Sequence, residues 1–75
     1  MKQNAFIASI DVSTRRKRRV ATTLVITLLE KIHLAEEKYQ ENIPENLQGS
    51  SAYSAAEETL DSLFEAMWIL AGAFD

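Results

Sequence analysis

From Val20 onward, apolar residues return every three or four positions, the spacing of a helix with one wet side. Val20, Ala21, Leu24, Val25, Leu28, Ile32, Ala35 and Tyr39 share one face. No glycine or proline interrupts residues 13–42, and Ser13 or Thr14 offers an N-cap, so the pattern predicts a first helix over 13–42. That face is expected to meet a second helix. A weaker stripe of Thr22, Ile26, Leu29 and His33 lies about 120° round the same helix. A helix covered on one side alone would leave this stripe wet, so it reads as a subunit interface.

Pro44 removes a backbone donor and biases Ile43 away from helical angles, which ends the first helix near Asn42. Residues 43–50 form the turn, closed by Gly49, and Ser50 or Ser51 caps a second helix over 51–74. Ser54 and Glu57 also have capping-box spacing, which would start that helix three residues later. Tyr53, Ala56, Leu60, Leu63, Phe64, Met67, Leu70, Ala71 and Phe74 stack on one side of it, opposite Glu57, Glu58, Asp61 and Glu65. Beyond Glu65 the segment Met67 to Phe74 is apolar all round.

So short a turn between two long helices forces them antiparallel. The Trp68 end of the second then returns beside the Val20 to Leu28 end of the first, and both greasy segments fall at one end. The expected fold is all-α: an antiparallel two-helix hairpin that dimerises into a four-helix bundle. Ile26, Leu29, His33, Trp68 and Ile69 are its expected dimer interface. Residues 1–12 carry no helical stripe. Phe6, Ala8, Ile10 and Val12 alternate with mostly small or polar neighbours, as in an extended or disordered N-terminal arm.

Size sharpens the need for a partner. A chain of 75 residues buries a small share of its surface, and such chains recruit disulfides, a metal or a second subunit. Zero cysteines exclude disulfides and thiolate zinc sites, and one histidine excludes a histidine-rich metal site within one chain. The second subunit remains. Cysteine-free composition also fits a reducing, cytoplasmic compartment.

The turn Asn42-Ile43-Pro44-Glu45-Asn46-Leu47-Gln48-Gly49-Ser50, followed by Ala55-Ala56-Glu57-Glu58 and Leu60-Asp61-Ser62-Leu63, resembles a group of small helical proteins from Gram-positive bacteria and their phages. The likeness covers roughly residues 30–64. It implies a helix-turn-helix hairpin and brings no catalytic residues. The group is expected to carry charges where Met67 to Phe74 stand, and has no counterpart to Arg15 to Arg19.

Net charge is −3, but the charges are segregated. Residues 1–19 hold Lys2, Arg15, Arg16, Lys17, Arg18 and Arg19 against Asp11, whereas the rest holds Lys31 and Lys38 against ten acids. The basic run followed by Val20 to Leu29 imitates a secretory signal. Glu30 stops that run at ten apolar or hydroxyl residues, too short to span a bilayer, and no small-residue cleavage site follows, so no membrane partner is expected. Arg15, Arg16, Lys17, Arg18 and Arg19 could contact nucleic-acid phosphates. With the arm before them they suggest a small DNA-binding regulator, against which stand the length of the first helix and the acidic body. Clustered cations at a helix start are also opposed by its dipole, which favours a frayed, solvated flank.

Glu30 and His33 have the Glu-x-x-His spacing of di-iron bundles, with Glu57, Asp61 or Glu65 as further ligands in a dimer, but Glu30 points away from the expected helix contact. The acids of the second helix could mimic phosphates, and more simply form its wet side. No nucleophile and base, phosphate loop or cofactor motif is present. The sequence therefore implies a non-enzymatic structural or protein-interaction module, without catalytic residues, metal or cofactor, whose partner is itself, with another protein as a further candidate.

Overall fold

The computed structural model describes residues 8–75. Helix α1 spans Arg15–Glu41, a 3-10 turn spans Glu45–Leu47, and helix α2 spans Ser51–Ala71. The described residues are helix and turn without a strand. Ala8 and Ser9 are helical rather than extended, and the chain then runs irregularly to Thr14. The remainder of the expected arm, including Phe6, lies outside the described residues.

Each helix begins where its local chemistry dictates. Thr14 has extended angles and its hydroxyl accepts from the Lys17 amide at 3.1 Å, so Thr14 rather than Ser13 is the first cap. Asn42 closes α1 two residues before Pro44, whose carbonyl accepts from Leu47 to start the 3-10 turn. Ser50 caps α2 through the Tyr53 amide at 3.4 Å. The later start at Ser54 is not used: its amide already bonds to the Ser50 carbonyl in the first turn. At its far end α2 stops at Ala71, short of the expected Phe74. Gly72 is the C-cap, a poor helix former, and residues 72–75 close with i to i+3 bonds from Gly72 to Ile69 and from Ala73 to Leu70.

The helices pack antiparallel along one seam. At the loop end, the buried Gln40 amide donates to Glu57 Oε2 at 2.7 Å and to the Tyr53 carbonyl at 3.4 Å. At the other end, Thr22 and Ile26 share a cleft with Leu70 and Phe74. The inward positions of α1 are Thr22, Ile26, Leu29, His33, Glu36 and Gln40, spaced alternately four and three residues apart. On α2 they are Tyr53, Ala56, Leu60, Leu63, Met67 and Leu70, in the same alternation. This is the 3-4 repeat of two helices packed near 20°.

The seam reverses the expected roles of the two α1 stripes. The weaker stripe, expected to wait for a partner, faces α2. The stronger one is exposed, with Val20 at 57%, Leu28 at 56% and Ile32 at 44%. Gln40 explains the choice: it lies on the weaker stripe, and a buried amide must keep its hydrogen-bond partners, which fixes how α1 is rotated.

Only Ala56 and Leu60 are buried apolar residues among those described. The fold is one layer of helices, 14 Å in its thinnest extent. It exposes 6224 Å², against about 4,600 Å² for a compact monomer of its mass.

Leu60→Ala should lower stability by about 2–3 kcal/mol in urea unfolding, as expected for a buried leucine. Gln40→Ala should cost about 1–2 kcal/mol, and the exposed Glu58→Ala no more than about 0.5. An unchanged midpoint for Leu60→Ala would remove the seam as described.

Candidate functional site

A single-layer hairpin has two broad sides, and here they differ in chemistry. Arg19 and Thr23 of α1 line one cleft with Ala71 of α2 and with Asp75 just beyond it, and Gln40 meets Glu57, which defines the first side. It carries Glu30, Glu37, Glu41, Glu57 and Asp61 around two exposed aromatics, Phe64 at 62% and Trp68 at 75%.

The opposite side carries the other flank of each helix. From α1 come Ala21, Val25, Leu28, Ile32, Ala35 and Tyr39, again at alternating spacings of four and three. From α2 come the small residues Ala55, Thr59, Ser62 and Ala66, then Ile69. None of these residues is charged. The Thr59 hydroxyl donates to the Ala55 carbonyl at 3.0 Å, so it is satisfied within its own helix. This side is a broad, largely apolar face, with Glu36 half-buried at its seam edge and Lys31, Lys38, Glu58 and Glu65 around its rim.

Of the five residues expected at a dimer interface, Ile26, Leu29 and His33 are half-buried in the seam of their own hairpin, because α1 is rotated by the Gln40 bonds. Trp68 and Ile69 are exposed, but α2 turns them to opposite sides, Trp68 to the acidic side and Ile69 to the apolar one. The broad face contributed by α1 escaped sequence reasoning, since two stripes of one period cannot be ranked by period. The charge-free run of small residues on α2 was the available signal for it.

The basic run is helical rather than frayed, and its members point in different directions around α1. Arg15 lies over the Phe74 ring, 5.1 Å from its centroid. Lys17 pairs with Asp11 at 2.7 Å, and Arg18 Nη1 donates to the Val12 carbonyl at 3.0 Å. Asp11 thus supplies, from just before the cap, the negative charge that the first turn lacks. Three of the five cations fasten the chain entry and the end of α2. Arg16 and Arg19 line a cleft with Phe74, and Arg16 lines a second, shallow one with Ile10, Val20 and Leu24.

Glu30 is exposed while His33 is half-buried in the seam. Among the described residues, no group of three or more His, Cys, Asp or Glu side chains could hold a metal ion. No helix among them is long and apolar enough to cross a membrane. Comparison with protein-family profiles, with curated proteins and with solved structures finds no match to this chain.

The Lys17 ammonium, and then Ser13 through its side chain and its amide, hold the Asp11 carboxyl down at about 2 from an ordinary 3.8. A lowered folded-state value means that the stabilisation is complete above about pH 4 and disappears as pH falls toward 2. A carboxyl-detected NMR titration should therefore place Asp11 near 2, and Lys17→Met should return it toward 3.8. An Asp11 midpoint near 3.8 in the native chain would show that the entry is not held by this pair.

Proposed function

We propose that the chain is a non-enzymatic, cytoplasmic interaction module that works as a self-associated hairpin, two copies forming a four-helix bundle that can also hold another protein. The observation that carries this reading is the broad apolar face on a molecule one helix thick. Stable domains bury their apolar stripes between at least two packed layers, and this chain supplies one. Burying two apolar residues is little for a folded domain of this size, and neither disulfide nor thiolate metal site is available to compensate. Closed twofold dimers are the commonest way to provide the missing layer. The absence of cysteine agrees with a reducing compartment.

In this reading the basic run serves the fold. Phosphate binding along a duplex needs cations presented to one side, whereas Arg15, Lys17 and Arg18 are directed to Phe74, Asp11 and Val12. Light scattering of the purified chain should give at least twice the 8.4 kDa of one copy. A stable, well-folded single chain at high concentration would end this reading. Nonspecific duplex DNA should migrate unaltered at low salt. A retardation that weakens with salt and is lost in an Arg16→Glu, Arg19→Glu double variant would reassign the chain to the nucleic-acid regulators.

A further inference from the structure

The apolar face can be matched to its occupant. We propose that it is covered by a second copy of this chain related by a twofold axis perpendicular to the helices, so that each α1 lies antiparallel on the α1 of the other copy. The proposal rests on the self-association reading above and adds to it the face, the orientation and the register.

Area comes first. The stripe from Ala21 to Tyr39 is about 27 Å long and two helices side by side are about 20 Å wide, a footprint of roughly 540 Å² per copy. The pair would cover about 1,100 Å², which clears the roughly 1,000 Å² floor for a biological interface and lies at the small end of the range. The acidic side offers no such area, because its two aromatics stand among five carboxylates that a second acidic side would meet.

Register comes from side-chain size. Reversing the α1 stripe about its midpoint sets Ala21 against Tyr39 of the second copy, Val25 against its Ala35, and Leu28 against its Ile32. Large meets small at both ends and the bulk is greatest at the centre, the interdigitation a close-packed layer requires. Ala66, level with that midpoint across the seam, then faces its own equivalent, and the small residues of α2 let those helices approach closely.

Charge decides the orientation. The hairpin is basic at the Arg15 to Arg19 end and acidic at the loop end, where Glu36, Glu37, Glu41, Glu45, Glu57 and Glu58 gather. A parallel pair would place both basic runs together and both acidic loops together. The antiparallel pair sets each basic end beside the acidic loop of the other copy.

Two measurements on the full chain test this. Gln48 is exposed in the turn, away from both faces, and the chain has no native cysteine, so Gln48→Cys accepts a single spin label. Antiparallel copies put the two labels about 35 Å or more apart, parallel copies within about 20 Å. The short distance overturns the orientation. Leu28→Glu should halve the solution mass while Trp68→Glu leaves it unchanged. A Leu28→Glu dimer, or a Trp68→Glu single chain, moves the interface off this face. Should Leu28→Glu lose its helical circular dichroism, oxidised Ala66→Cys decides the face, since the proposed pairing gives a covalent dimer and Phe64→Cys does not. A native chain of single-copy mass sinks the self-association reading itself, a result distinct from either failure.

Discussion

A hydrogen-bonded amide near the loop sets the plan of this molecule. Gln40 is the one buried polar residue among those described, and it reaches both Glu57 and the Tyr53 carbonyl across the start of α2. Helix α1 offers two apolar stripes about 120° apart, either of which could lie on α2. Turning the stronger stripe inward would lift Gln40 out of the seam and break both bonds. The bond to the Glu57 carboxylate contributes about 1.5–3 kcal/mol net of hydration, comparable with burying one large aliphatic side chain. The interaction therefore selects a rotation rather than merely adding stability, a role in specificity that single polar residues also fill in coiled coils.

The character of the two broad sides follows from that rotation. Each helix can bury one stripe in a hairpin, and the one chosen on α1 includes Thr22, His33 and Glu36, so the richer stripe faces outward. The sides of the layer then become unlike: one largely apolar, the other acidic with two aromatics. The chain entry is organised separately. Asp11, Thr14 and Lys17 form a small polar knot that holds five successive cations in helical geometry against the helix dipole, and Arg15 extends that knot to Phe74 at the end of α2.

The elements were legible in the sequence because their punctuation is local. Thr14, Pro44 and Ser50 act within four residues of themselves, so the two helices, the turn and the antiparallel arrangement follow without tertiary information. Gly72 was equally visible, and the apolar residues around it concealed its effect on α2. What the sequence did not disclose was the facing of α1. Val25, Leu28 and Ile32 repeat with the same period as Ile26, Leu29 and His33, and hydrophobicity favoured the wrong set. The deciding residue is polar and sits at position 40, outside the segment in which the two stripes were compared. The partners of the basic run were hidden for a similar reason, since Asp11 and Phe74 act on it from before and beyond the helix that contains it.

Trp68 is the sole indole of the chain and stands three-quarters in water, on the side away from the apolar face. Its fluorescence is thereby uncoupled from the folding of the hairpin. An indole so exposed is expected to emit much as a solvated one does and to change little as the helices melt. Anything that settles over Phe64 and Trp68 removes that water and moves the emission to the blue. The chain thus carries a built-in optical probe that is nearly blind to unfolding and responsive to occupancy of its acidic side.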